Sequence, residues 1–414
     1  MPSFPSLTFL TFLRFLGGLA LCALLTVSTG RADEPTIQSY ALPSAPAWLT
    51  ADGAQVAALL ANGTVVAPDG NVVRSLGGGY APAAPIRRCF DQTMGISRPR
   101  GNASELRAVH SRGHSADSQG ASLSPLSGIE CGLAAVWAIG TRGEIVRLEQ
   151  VDGLWESVKR APVDALLDGR IVRFDLAANS DPKLFVLAAP STRYAHGVLG
   201  DAIEPTALKM IDPHSLQVES TLSLPEPYVF EDLSVRPVKL GGRHYLALVR
   251  SSDNAGSGVA LIGLEKGELA IIATGPEIGR GQRWMNLLVP RSANDTDAGA
   301  VLYAVETPHI GGRLHRYAFK GRRLEATFVA DGVSTHAIGS RVLDAYVFLS
   351  PTRMIVPNQA RNALRLLDCA AECREVKQWT LSGTVVTNLV LTRDSVWVGT
   401  SDRKMQRLGI AGNK

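Results

Sequence analysis

Two stretches of this chain follow one local plan closely enough to define its building unit. Val136-Trp137-Ala138-Ile139 runs through Gly140-Thr141-Arg142-Gly143 and returns as Glu144-Ile145-Val146-Arg147-Leu148. Val396-Trp397-Val398-Gly399 runs through Thr400-Ser401-Asp402-Arg403 and returns as Lys404-Met405-Gln406-Arg407-Leu408. Short β-branched and aromatic runs separated by a turn carrying Gly or Asp are hairpins. Looser copies lie at 55–65, 184–211, 245–264, 302–319 and 354–367, which makes seven copies. Each has a further apolar run before it, and several have another after them. Helical periodicity is nearly absent.

Three or four strands per copy, recurring every 40 to 60 residues, predict small twisted sheets. Such sheets can bury both faces only against neighbouring sheets. The fold class predicted is therefore all-β, a seven-bladed β-propeller, with six or eight blades as the alternatives. A β-sandwich needs fewer strands, and a parallel β-helix needs repeats of about 20 to 30 residues. The first extended segment, 37–42, is placed to add an outer strand to the last copy, which ends near Ile410, and so to close the ring. The stretch from about 77 to 128 breaks the rhythm. Rich in Gly, Pro, Ser and Arg, it reads as an irregular insertion within a single domain spanning 33–414.

The N-terminus bears on compartment. Arg14 precedes an apolar run from Phe15 to Val27, too short for a confident membrane span. Gly30-Arg31-Ala32 offers the small-x-small pattern of a signal-peptidase site before the polar Asp33-Glu34-Pro35, so residues 1–32 read as a signal peptide and the mature chain as periplasmic or secreted. Leu21 stands where a lipid-modified Cys22 needs a small residue, which argues against a lipoprotein. No later stretch is apolar enough to predict a transmembrane span. The formal charge of +4 falls by two with Arg14 and Arg31, and near neutrality gives no reason to expect a nucleic-acid partner.

Cys89, Cys131, Cys369 and Cys373 remain after cleavage, an even number suited to two disulfides in an oxidising compartment. Of three connectivities, Cys89 with Cys131 and Cys369 with Cys373 is the simplest. The first pair would close the insertion, and the second would staple a tight turn within one blade. Zinc is the rival for Cys369 and Cys373, but no histidine pair lies near them at finger-like spacing.

In a propeller, the loops joining second to third strands share one face with the connections between blades. Here those segments are rich in Arg, His and Asn. They include Arg193, Tyr194 and His196; Arg283 and Trp284; His309, His336 and Arg341; and Asn358 and Arg361. Guanidinium groups suit carboxylate or phosphate, Asn and His orient by hydrogen bonds, and Trp284 offers a ring for stacking. The ligand-binding residues predicted are Arg193, Arg283, Trp284, His309, His336, Arg341, Asn358 and Arg361. They define a contact face for an unidentified protein or a polar small molecule. The alternative is a hydrolase or lyase acting on a polar or anionic molecule or sugar, with His309, His336 and Glu306 as catalytic candidates. Neither Gly-x-Ser-x-Gly nor His-Glu-x-x-His is present.

Through Trp284-Met285-Asn286, Tyr303-Ala304-Val305-Glu306-Thr307-Pro308-His309-Ile310-Gly311-Gly312 and Ser334-Thr335-His336-Ala337-Ile338-Gly339-Ser340-Arg341, the chain resembles bacterial exported propellers of the FG-GAP/VCBS-repeat type, over roughly 230–410. The resemblance implies a calcium turn between first and second strands. The matching segment, 292–299, keeps Asn294, Asp295 and Asp297 but not their register, which speaks against calcium as a cofactor. The hairpin ending in Gly399-Thr400-Ser401-Asp402 also resembles quinoprotein-like propellers and outer-membrane assembly scaffolds. No quinone-binding residues carry over from that short match.

Overall fold

Why the second strand of most units is apolar at nearly every position, instead of alternating, becomes plain once its two faces are followed. In Ala135–Ile139, Val136 and Ala138 pack toward the preceding sheet beside Met94 and Leu106, while Ala135, Trp137 and Ile139 pack toward the following sheet beside Leu184 and Ile211. Successive side chains leave a strand on opposite faces, so a strand buried on both must be apolar throughout.

The computed structural model describes residues 37–410, apart from 102, 111–114, 179 and 291–300. Among these residues the only helical element is one 3-10 turn, Gly197–Leu199. The strands form antiparallel four-stranded sheets in chain order. The first is Pro46–Asp52, Gln55–Leu60, Val65–Asp69 and Val72–Gly77. The second is Arg87–Cys89, Gln92–Ile96, Leu106–His110 and Ser115–Asp117. The third, fourth, seventh and eighth sheets repeat the plan. The fifth and sixth are joined through one parallel bridge, Thr274 to Arg323. The fifth has a broken first strand, since Val229–Phe230 and Arg236–Leu240 both pair with Arg243–Ser252.

Eight such units are present among the described residues, one more than the seven copies read from the sequence. The additional sheet is the second, so 77–128 is not an irregular insertion. Its core face is supplied by Met94, Ile96, Leu106 and Ala108. Eight apolar clusters match the eight sheets, each drawn mainly from two successive ones. One of them joins Trp397 and Met405 of the eighth to Leu49, Val56 and Leu60 of the first. The ring is therefore closed.

Closure uses the strand the sequence proposed. Ile37–Ala41 pairs antiparallel with Lys404–Gly409, Ile37 facing Leu408 and Ala41 facing Lys404, as the outer strand of the eighth sheet. Tyr40 stacks on Trp397 at 5.5 Å between ring centroids. Asn388 binds the backbone of the first sheet twice: its Nδ2 donates to Leu49 O and its Oδ1 accepts from Leu49 N, both at 2.9 Å.

Both cysteine pairings hold. Cys369–Cys373 lies between the third and fourth strands of the seventh sheet, as expected, which leaves neither thiol for zinc. Cys89–Cys131, with Cα atoms 6.4 Å apart, has a different role from the one predicted. It joins the first strands of the second and third sheets, cross-linking neighbours instead of closing an insertion.

Candidate functional site

The connection from the sixth sheet to the seventh, residues 331–346, travels across the ring before it returns to its own sheet. Gly339 N donates to Val198 O at 2.9 Å. Arg341 binds Asp168 through Nε at 2.8 Å and Asp201 through Nη2 at 3.1 Å. Arg170 answers from the fourth sheet's entry, donating to Asp344 Oδ2 and to Arg341 O, each at 2.8 Å. Leu343 is fully buried with Leu166, Val198 and Leu233. Asn286 Nδ2 holds the same segment through Thr335 Oγ1 and Leu343 O, both at 2.9 Å.

One of the paired imidazoles, His336, belongs to this strap, and the other, His309, lies against it. His309 sits in the turn 307–312, which Thr307 shapes with a positive φ and bonds to Ile310 and Gly312. A Cβ on Gly312 would stand 1.9 Å from Val333 O, so only glycine lets the turn approach the strap this closely. His336 Nε2 donates to Ser340 O at 2.8 Å, since a carbonyl can only accept. Its Nδ1 therefore accepts from His309 Nε2, 2.9 Å away. Burial pushes His309 down to about 4 and His336 down to about 3, and the nearby Arg361 adds to both shifts. Both rings are neutral at pH 7.

Trp284 is buried, with its indole stacked against His309 and edge-on to His336. Its Nε1 donates to Glu231 O at 2.9 Å. Glu231 itself is wholly buried at the break in the fifth sheet's first strand. His196 Nδ1 stands 2.5 Å from its Oε1, and Ser251 Oγ donates to its Oε2. Burial raises its pKa. Close by, burial first and then Glu231, Asp168, Asp201 and Asp232 push Glu204 up to about 10, which leaves it a neutral acid at pH 7.

The structure gathers His309, His336, Trp284 and Arg361, and gives the other predicted residues different work. Arg193 donates to the carbonyls of Leu224 and Tyr228, fastening the connection to the fifth sheet. Arg283 bonds its neighbour's carbonyl at Gln282. Asn358 Oδ1 accepts from the backbone of Asn362 and Ala363 and shapes its own turn. Arg341 is the strap's anchor. Trp284 has both faces packed, so it offers no open ring for a sugar. Glu306 lies 3.0 Å from His315 Nε2 on the adjacent strand, with no hydrogen bond to the imidazole pair. The calcium-like turn 292–299 lies outside the described residues. Within them, no cluster of His, Cys, Asp and Glu is arranged to hold a metal ion, and no helix is long and apolar enough to cross a membrane.

Arg361 differs from the other arginines. It is half-buried, at a positive φ of 56°, and burial lowers its pKa. Its backbone is committed to Asn358 O and Val385 N, but no carboxylate among the described residues pairs with its guanidinium. Two exposed side chains on the same loops, Ile310 at 68% and Ile338 at 72%, add an apolar rim.

Sequence reasoning missed a second feature, the axial cavity of about 770 Å³ lined from all eight sheets. Its charged residues, among them Arg87, Arg170, Arg173 and Lys239, sit on or beside first strands, whereas the ligand-binding residues predicted from the sequence lie in loops. An arginine or lysine inside an otherwise apolar first strand, as in Val172–Phe174 and Arg236–Leu240, was the available signal.

A closed ring of four-stranded antiparallel sheets around an axial cavity is a β-propeller, and comparison with solved structures agrees. No family profile matches the chain, and no curated protein does. BamB from Moraxella catarrhalis is similar at a TM-score of 0.54 and 12% identity, over 90% of this chain and 98% of that one. Sqt1 from Saccharomyces cerevisiae gives 0.57 and 9%, over 89% and 96%. A quinohemoprotein alcohol dehydrogenase from Comamonas testosteroni gives 0.58 and 10%, over 90% of this chain and 76% of the enzyme. At such identities the likeness establishes the fold alone.

Proposed function

We propose that this chain is an exported β-propeller that binds or scaffolds, and that its loop face receives an anionic group at Arg361. The leader pattern of residues 1–32 and the two disulfides support an oxidising compartment, periplasmic or extracellular. The exported FG-GAP/VCBS-type propellers it resembles fit the same setting.

The observation that carries the reading is the guanidinium of Arg361, half-buried beside two neutral imidazoles with no carboxylate partner among the described residues. Removing a cation from water without a counter-charge is costly, and a carboxylate or phosphate from a ligand or partner offsets that cost. Ile310 and Ile338 add apolar contact. A general base at pH 7 needs a pKa near 7, and imidazoles titrating near 3 and 4 fall far short, so this geometry favours binding over acid–base catalysis.

Titration with acetate, succinate and inorganic phosphate tests this, following the ring protons of His309 by NMR and affinity by calorimetry. At least one anion is expected to shift His309, and Arg361→Gln to weaken that anion about tenfold. If no anion moves the His309 signals, or Arg361→Gln binds as tightly as the parent, the reading is wrong.

A further inference from the structure

The axial cavity has a charge balance that packing does not require. Three arginines, Arg87, Arg170 and Arg173, line it against two carboxylates, Glu130 and Asp344. Each carboxylate already has its partner: Arg87 stands 2.6 Å from Glu130, and Arg170 stands 2.8 Å from Asp344. Arg173 forms no ion pair with any described residue. Its Nε is buried without an acceptor, and its guanidinium rests against the backbone at Gly132, where an added Cβ would lie 3.0 Å from Nη1. A cation on a first strand that lines the cavity, where both carboxylates of the wall are paired to other arginines, is set up for an anion from outside.

The rest of the wall narrows the chemistry. Trp48 is buried beneath the Arg170 guanidinium, 5.2 Å from its ring centroid, so the apolar ring surface open to the cavity comes mainly from the partly exposed Phe174, with the edge of Phe348 beside it. Flat apolar walls with a few fixed cations select a molecule with an apolar body and a negative head. The volume lies within the roughly 300–1,000 Å³ typical of small-molecule sites. The crossing segment 331–346 ties over the loop end of the channel through Arg170, so such a ligand reaches Arg173 from the opposite end.

We infer that the axial cavity is a binding site for a small amphipathic organic anion, an aromatic carboxylate in its simplest form, with Arg173 as the anchoring cation. It is separate from the loop-face site at Arg361.

The probes are isophthalate, its uncharged analogue isophthalamide, and inorganic phosphate, titrated calorimetrically into the full-length protein carrying Arg361→Gln, which removes the loop-face site and serves as the reference for every further variant. Isophthalate is expected to bind at one site and to perturb tryptophan fluorescence, a response lost in Trp48→Phe. Isophthalamide and phosphate are each expected to bind at least about tenfold more weakly, the first lacking the charge and the second the ring. Arg173→Gln is expected to weaken isophthalate by a similar factor, and Arg322→Ala, an exposed arginine on the sixth sheet, to leave it unchanged. Three results overturn the inference: no isophthalate binding, equal binding of isophthalate and isophthalamide, or parental affinity in Arg173→Gln. The comparison of the two probes needs no further variant, so it decides the matter even if Arg173→Gln does not fold.

Discussion

Three ionisable groups, two histidines displaced downward and one glutamate displaced upward, give this protein a readable dependence on pH. His309 and His336 titrate at about 4 and about 3 in the fold against 6.5 in the free side chain, so between those values the unfolded chain binds more protons. Stability must then rise with pH over that window; the contribution is complete above 6.5 and fades as pH falls toward 4 and 3. Glu204 behaves inversely. Its folded value of about 10 exceeds the ordinary 4.5, so the folded protein holds the extra proton, and that contribution is complete below 4.5 and is lost as pH rises toward 10. Urea midpoints measured from pH 4 to pH 9 check both. His336→Gln should flatten the rise between pH 4 and 6.5. Glu204→Gln, which keeps the neutral form's shape, should match the parent at pH 4 and exceed it increasingly above pH 6. A parental profile in either variant would remove that residue from the account.

At the scale of elements, the crossing segment 331–346 depends on Arg341. Its side chain is 22% exposed and Asp168 only 5%, so truncating the arginine leaves a carboxylate buried without its partner. Arg341→Ala should cost about 3 kcal/mol in unfolding free energy. Arg341→Lys should recover only part of it, because a single ammonium cannot span Asp168 and Asp201 as the planar guanidinium does. Equal stability of all three proteins by denaturant unfolding would show that the strap is held by Leu343 and Asn286 instead.

The same segment marks where sequence reading runs out. The hairpins at 135–151 and 395–409 were legible because both faces of their strands are buried and the apolar runs are unbroken. The second sheet was not, because close packing suppresses its signal. A Cβ on Gly95 would meet Ile86 at 3.0 Å and Tyr80 at 3.2 Å, so a glycine interrupts the apolar run of a central strand where those side chains pack closest. The loop face was found through its arginines and histidines, but composition does not reveal which loop arginine meets an acid. Arg341 meets Asp168 and Asp201 across 173 and 140 residues of chain, while Arg361 meets none among the described residues.

For the whole molecule the decisive contact is between its first described strand and its last. Ile37–Ala41, as the outer strand of the eighth sheet, completes the seam at which the last sheet packs on the first. Without it, the edge of Lys404–Gly409 is unpaired, and Trp397 and Met405 lose Tyr40. Tyr40→Ala should therefore cost about 3 kcal/mol, the ordinary price of emptying a buried aromatic site. Gln38→Ala, on the same strand with its side chain bonded only to the exposed Asn71, should cost less than about 0.5 kcal/mol. The broader consequence concerns cooperativity. In an open array of repeats the end units fray, whereas a closed ring has no end unit, so the parent should unfold in one transition with coincident fluorescence and circular-dichroism midpoints. Tyr40→Ala should separate those midpoints as the first and eighth sheets loosen before the rest. If it lowers stability while the two midpoints stay coincident, closure contributes energy without contributing cooperativity, and the ring unfolds as one body regardless of its seam.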